Sequence, residues 1–401
     1  MRGPYLKALL VGSLFALPAG VLLIAELSWP NADLLQPNRF YLGTDFVNYW
    51  AGGRVALTGR VDVVYDLSRY LALLREWFSP ELRLMNFSYP PHALLVLAPA
   101  AALPYLPALA LWSLLGAAAF VAVAIGGVPR RGDGVLVAAI VLSPVVWTNI
   151  VLGQLGLFLA ALFVGALRAL PARPILAGVL IGALTIKPQL GLLLPLMLLL
   201  LGAWRALAAA TASALALVAL SLVAFGVEPW RIYITETMPF QWHFVEVMDG
   251  FYRFQMTTPY VLAWFTGLPV KAALAVQWAA ALLVAAATGT VVRSNAQWPL
   301  KAAVVALGSV LMAPYVLAYD LAIPLAVLVW HLRDGEARAG AVGIAVVGVT
   351  WALPFGLGTA AQTQGLPLLP LALLVCYAWL VGQALGWRRV ALARPATTLG
   401  A

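Results

Sequence analysis

Apolar runs broken by short polar, arginine-bearing interruptions make up most of the chain. The first covers residues 8–25. Others follow at 107–128, 134–150, 154–168, 174–186, 188–203, 206–226, 270–292, 299–316, 319–332, 339–358 and 366–387. A helix needs about 20 apolar residues to cross a bilayer, so the pattern predicts an all-α polytopic membrane protein with about twelve crossings. Segments 174–186 and 188–203 are short for a crossing, and "IKPQ" (186–189) divides them. Pro188 interrupts a helix and Lys187 is costly in lipid. Together they predict a hairpin whose tip sits in a polar cavity within the membrane.

The basic residues test that reading. Arg130 and Arg131, Arg168 and Arg173, Arg205, Arg293 and Lys301, Arg333 and Arg338, and Arg388, Arg389 and Arg394 all face the cytoplasm if the chain reverses at "KPQ". A competing topology makes 92–104 a full crossing and 174–203 one long helix, and it puts Arg130 and Arg131 outside. The preferred one divides the chain into a first transmembrane helix (1–29), an outer loop (30–106), a transmembrane core with the KPQ hairpin (107–226), a second outer loop (227–269), C-terminal transmembrane helices (270–387) and a cytoplasmic tail (388–401). The two outer loops carry ten of the fifteen acidic residues. The first is rich in aromatic residues, and 62–78 and 92–103 are expected as helices on the membrane surface.

Composition narrows the classes. The chain of 401 residues is 63% hydrophobic and 10% charged, against about 25% charged in soluble proteins. Its net charge of +9 is accounted for by cytoplasmic arginines, so it signals membrane orientation and no nucleic-acid partner. The single cysteine, Cys376, excludes an internal disulfide. No glycine-rich phosphate loop follows a strand, and no His, Cys or carboxylate set has metal-ligand spacing. No cofactor and no metal are expected.

The polar stretch "YLGTDFVNYWAGGRVALTGRVDVVYD" (41–66) directly after the first apolar run holds the first chemical candidates. Asn48 and Tyr49 follow Asp45 at i+3 and i+4, on one face of a helical turn. Ala51, Gly52 and Gly53 permit close approach of a ligand or a helix, and Arg54 can balance the charge. A bland alternative makes Thr44 or Asp45 a helix N-cap. Lys187 is the only lysine between 134 and 226, so it marks function or snorkels to an interface. Gln189 and Gln154 sit at outer turns, as ligands for phosphate or sugar oxygens or as helix contacts. Asp320, after Tyr319, is the only carboxylate between 270 and 333; it pairs with Lys187 or Arg253, or contacts substrate. His92 follows "YPP", and "QWHFVEVMDGFYRF" (241–254) brings His243 and Arg253 among aromatics, as a platform or an interfacial belt. Asp62 and Asp66 could join Asp45 on a cation, though no spacing demands it.

The 41–66 stretch resembles the first-loop motif of glycosyltransferase family 87, in Asp45, Phe46, Tyr49, Ala51, Gly59, Val64 and Tyr65. "FSYPP" (87–91), "GQLG" (153–156), "RPILAGVLIGALTIKPQLGLLLPL" (173–196) and "YDLAIPL" (319–325) continue the likeness in order. Family members often carry a histidine a few residues before "YD", where this chain has "APYVLAYD". The resemblance implies a GT-C-type fold with interfacial helices in a long first outer loop. It implies a bacterial inner-membrane enzyme that takes a hexose, such as mannose, from a polyprenyl-phosphate sugar. Transfer is then inverting, to a lipid or glycan acceptor on the outer face, with Asp45 as general base. The donor, the acceptor and membrane lipids are its partners. Lys187 is then the best phosphate ligand, with Gln189, Gln154, Asn48, Tyr49, Arg253, Asp320, Tyr319 and His92 around the substrates.

Two other classes compete. A transporter or flippase of a lipid-linked sugar also has many helices, an intramembrane lysine and a proline-broken hairpin. No internal repeat supports it. A ligase or polymerase of surface polysaccharide would share the lipid-linked donor.

Overall fold

A computed structural model describes residues 3–27, 29–247, 250–335, 340–354 and 356–386. The expectations for Arg338, Arg388, Arg389 and Arg394 lie outside these residues. The described chain is all-helical. In order come α1 (Gly3–Leu27), α2 (Phe46–Leu57), α3 (Asp62–Tyr65), α4 (Leu67–Trp77), α5 (Ala93–Leu97), α6 (Tyr105–Ile125), α7 (Gly134–Val141), α8 (Pro144–Val151) and α9 (Gly156–Ala169). Then follow α10 (Pro174–Ala183), α11 (Leu193–Leu200), α12 (Trp204–Phe225), α13 (Glu228–Ile232), α14 (Met238–Val247), α15 (Gly250–Gln255) and α16 (Pro259–Phe265). The C-terminal part holds α17 (Val270–Arg293), α18 (Trp298–Met312), α19 (Ala322–Asp334), α20 (Ala341–Ala352), α21 (Leu357–Thr363) and α22 (Leu368–Ala384).

Among the described residues four helices are long and apolar enough to cross a bilayer, in α1, α6, α12 and α17. Two bent pairs raise this to six if each is one span: α7 with α8, bent by 48°, and α20 with α21, bent by 81°. Pro144 opens α8 and denies the α7 ladder an N–H, which accounts for the first bend. Five further apolar stretches are helical but short. The expected twelve crossings therefore exceed what helix length supports, because several apolar runs are broken or stop after two to four turns.

One end of the bundle gathers arginines. Arg168 donates to the carbonyls of Val123 and Ala124 and pairs with Asp334, while Arg333 pairs with Asp133. Trp298 donates to the Leu167 carbonyl, and a groove at the same end is lined by Pro174, Gly202, Arg205 and Trp298. Lys301 donates to the Val292 carbonyl. The breaks carrying Arg130, Arg168, Arg173, Arg205, Arg293, Lys301 and Arg333 thus lie on one side.

α10 and α12 run parallel. A methyl on Gly178 would strike Ala206 and Ala209, and one on Gly182 would strike Ala210 and Ser213, so the registers advance together. Gly178 and Gly182 are spaced GxxxG, which lets two helix backbones approach closely. Since α10 starts and α12 starts at the arginine end, α11 must run back between them. The chain therefore reverses at residues 184–192, and Lys187 sits at the far end of the bundle.

Residues 30–106, expected as the first outer loop, are folded and less superficial than expected. α2 is buried on nearly every face, with Phe46, Tyr49 and Ala51 at or near zero exposure. Gly52 and Gly53 let it approach Phe87 and the Leu97 carbonyl, so the small residues serve helix packing and no ligand contact. The expected single helix over 62–78 is two, split at Asp66, whose carboxylate accepts from the backbone N–H groups of Ser68 and Arg69 and caps α4. α4 lies amphipathically on the protein with Tyr70 and Leu74 inward. α5 spans only five residues, with a short 3₁₀ turn at Ala100–Ala102, so 92–104 is no crossing.

Candidate active site

The far end of the bundle encloses a cavity of about 400 Å³. Its wall includes Asp45, Asn48, Tyr49, Tyr89, Gln154, Lys187, Gln189 and Tyr319. These residues come from five separate stretches of chain, and local backbone geometry explains how the Asp45, Gln154 and Tyr319 stretches meet. Gly43 (φ 81°) and Thr44 (φ 35°) turn the chain through left-handed conformations just before Asp45. The Asp45 N–H then donates to the Leu152 carbonyl, 3.0 Å away. Gly153 is itself left-handed (φ 59°), and a methyl there would lie 2.5 Å from the Gly43 oxygen and from Phe46 Cβ. At Gly156 a methyl would lie 2.6 Å from the Tyr319 oxygen, to which Asn149 also donates at 3.0 Å. "GQLG" is thus the clamp that holds the Asp45 turn on one side and the Tyr319–Asp320 turn on the other.

Asp45 heads α2 but does not cap it; its side chain makes no cap bond. Instead its Oδ2 accepts from Gln154 Nε2 at 2.5 Å. Gln154 Oε1 accepts from the Tyr49 hydroxyl at 2.7 Å, and that hydroxyl lies 2.8 Å from the Tyr89 hydroxyl. Burial raises the Asp45 pKa to about 6, against the opposing effects of the Gln154 hydrogen bond and the Lys187 charge. The charge that steadies Asp45 is that of Lys187; Arg54 is exposed on the other side of α2. Burial also holds the Tyr49 and Tyr89 phenols well above their usual range, so both stay protonated at any working pH.

Lys187 is not a free cation. Its Nζ donates to Asp320 Oδ1 at 2.6 Å and lies 4.7 Å from the centre of the Tyr319 ring. Both partners are buried. Removing one member of such a pair strands a charge, at about 3–5 kcal/mol. Asp320 Oδ2 accepts from the Leu317 N–H, which fixes the carboxylate in its turn.

The other expected residues scatter. Asn48 lines the cavity and its side-chain oxygen accepts from Tyr70 at 3.2 Å. Gln189 is in the wall. Arg253 is outside it: the guanidinium is buried over the Trp264 ring, 4.3 Å from its centre, although Gln255 two residues on does reach the cavity. His92 is also outside, stacked on Trp230 and 3.2 Å from the Thr185 hydroxyl. It ties the first outer loop to the hairpin tip, and burial lowers its pKa. The aromatic platform is partly present, since Trp242, Phe244 and Val245 line the cavity while His243 is exposed. Asp62 pairs with Arg69 and Asp66 caps α4, so neither joins Asp45.

Residues not singled out in the sequence complete the wall, Asn86, Ser88 and Tyr89 from residues 30–106 and Tyr233 from residues 227–269, beside Gln241 of the expected 241–254 platform. Gln241 donates to Ser88 at 2.7 Å and joins the two loops across the mouth. The only signal for Tyr89 was its place in "FSYPP".

No curated protein and no solved structure matches the chain. The sequence model of glycosyltransferase family 87 matches residues 87–314, more than half of the chain. The matched stretch takes in Tyr89, Gln154 and Lys187. It leaves out the 41–66 motif and "YDLAIPL", so Asp45 and Asp320 rest on geometry alone. With an all-helical membrane architecture and over half its length matched, the chain belongs to glycosyltransferase family 87, a GT-C-type family, and is a membrane glycosyltransferase that handles a sugar donor and an acceptor.

Proposed function

We propose that the protein transfers a hexose, such as mannose, from a polyprenyl-phosphate donor to a lipid or glycan acceptor, by inverting displacement on the outer face of a bacterial inner membrane. The observation that carries the reading is a cavity with Asp45 held by Gln154 on one wall and Lys187, itself paired with Asp320, on another. Asp45 takes the proton of the acceptor hydroxyl. That oxygen attacks the anomeric carbon, the bond from that carbon to the phosphate oxygen breaks, and its electron pair leaves with the phosphate. A general base of this kind contributes about 10²–10⁴ in rate. A pKa of about 6 suits it, since the carboxylate is ionised at neutral pH yet basic enough to accept.

The charge balance gives Lys187 its part. As the proton moves, Asp45 goes from anionic to neutral while the phosphate goes from one negative charge to two. Negative charge thus migrates across the cavity, and a phosphate seated closer to the Lys187 ammonium than Asp45 is makes that shift favourable. Asp320 keeps the ammonium compensated while no phosphate is bound. Met238, Trp242, Phe244 and Ile186 give the same cavity an apolar wall that suits a prenyl chain. The loops 30–106 and 227–269 meet at its mouth and are assigned to the acceptor side, and the end rich in arginine to the cytoplasm.

The test is transfer of radiolabelled sugar from synthetic polyprenyl-phosphate hexoses by purified protein, wild type beside Asp45→Asn. Label should reach a lipid or glycan acceptor only with wild type. Near-normal turnover by the variant would sink the base assignment, and donor binding with no transfer to any acceptor would sink the enzyme reading.

A further inference from the structure

The hydrogen bonds along the Asp45 wall have a forced direction. Asp45, as base, is ionised and can only accept, so Gln154 presents its NH₂ there and its carbonyl oxygen faces Tyr49. The Tyr49 hydroxyl spends its one proton on that carbonyl. In the 2.8 Å contact with Tyr89, Tyr49 must therefore accept, and Tyr89 must donate. The proton of Tyr89 is committed inward, and its oxygen keeps lone pairs for the cavity it lines. Among the described residues that oxygen has no other hydrogen-bond partner, and neither has Asp45 Oδ1. The wall thus offers two acceptors of hydrogen bonds and a fixed polarity between them.

We propose that Tyr89 is a specificity residue that accepts a hydrogen bond from a second hydroxyl of the acceptor, on the same ring as the hydroxyl that gives its proton to Asp45. The acceptor is then a polyhydroxylated ring, and a simple alcohol is a poor substitute. This rests on Asp45 acting as the base. Two hydroxyls of one sugar ring, each with a hydrogen-bond arm of about 2.8 Å, span roughly 8 Å between protein oxygens, within the reach of the Tyr89–Tyr49–Gln154–Asp45 chain. A site built to bind a hydroxyl discriminates strongly against the analogue that lacks it, because its own polar group is left unpaired.

The experiment uses the full-length protein, polyprenyl-phosphate mannose, glucose and galactose as donors, and octyl hexosides, their monodeoxy analogues and octanol as acceptors. For wild type, kcat/KM should fall about ten-fold or more when one particular ring hydroxyl besides the reacting one is removed, and octanol should be poorer still. Tyr89→Phe should use the parent hexoside about ten-fold less well and no longer distinguish it from that deoxy analogue. Its pH midpoint should match wild type, because Tyr49 still donates to Gln154 and Gln154 to Asp45; a merely structural defect would lower all acceptors alike. Discrimination unchanged in Tyr89→Phe, octanol used as well as a hexoside, or donor cleavage by water that depends on Asp45 with every hexoside refused would each overturn the proposal. Full activity in Asp45→Asn would instead remove the base reading on which it stands.

Discussion

Replacing Gln154 by leucine tests whether the amide sets the proton affinity of Asp45. In the wild type, Gln154 Nε2 donates to the carboxylate at 2.5 Å, which helps hold at about 6 a pKa that burial drives upward. Leucine keeps the bulk and removes the donor. A hydrogen bond to a charged group is worth about 1.5–3 kcal/mol, and one pKa unit about 1.4 kcal/mol. The midpoint should therefore climb by roughly one to two units, to about 7–8. The ionised form is the base, so activity is lost as pH falls through the midpoint. At pH 7 wild type is about nine-tenths ionised, while the variant is between roughly one-tenth and one-half ionised. Its kcat/KM should be about two- to ten-fold lower at pH 7 and should recover by about pH 9. The assay is radiolabelled transfer across pH 5–9. Tyr49→Phe is the control, because it removes the far partner of Gln154 but leaves the amide on Asp45, so its midpoint should barely move. An acid limb in Gln154→Leu that coincides with wild type would refute the reasoning.

Asp45→Asn should abolish transfer yet raise thermal stability. The carboxylate sits about two pKa units above its ordinary value, so its ionised form costs the fold about 1–3 kcal/mol at neutral pH, and asparagine can still accept from Gln154; a lowered Tm would contradict this. Lys187→Met should destabilise by about 3–5 kcal/mol by stranding Asp320, whereas Lys187→Met with Asp320→Leu should regain most of that in a melt but no transfer. Gly153→Ala should cost about 3 kcal/mol or more and disrupt the site, since its methyl meets Gly43 and Phe46 and its backbone is left-handed; unchanged melting would mean the turn relaxes freely. In a Cys376→Ala background, Asn86→Cys should be labelled by an impermeant thiol reagent from outside whole cells, and Arg205→Cys only after lysis, with the reverse pattern inverting the assigned sidedness.

The sequence made the architecture legible at the level of residue type and spacing. Lipid forbids unpaired backbone groups, so a long apolar run in a membrane protein has to be a helix. Arginine placement follows the same membrane, which is why the "KPQ" reversal is legible in the sequence. The crossing count was less legible, because a run of apolar residues looks the same whether its helix is continuous or broken, as at Ser143–Pro144.

Partnership is what composition cannot carry. Lys187 and Asp320 were each conspicuous as lone charges in apolar surroundings, yet 133 residues separate them, and only the fold decides that they neutralise each other. In sequence Gln154 reads equally as a ligand for substrate oxygens or as a helix contact, and the structure spends both ends of its amide on Asp45 and Tyr49. Tyr89 is inconspicuous, because a tyrosine beside prolines at an interface has an ordinary explanation. Its meaning comes from counting protons along a chain of contacts, where each hydroxyl has one to give. A residue proposed to meet substrate can thus look unremarkable in sequence, while the most conspicuous charge, Lys187, already has its counter-ion. In a site of this kind the informative quantity is the hydrogen-bonding capacity left over once the protein's own groups have paired.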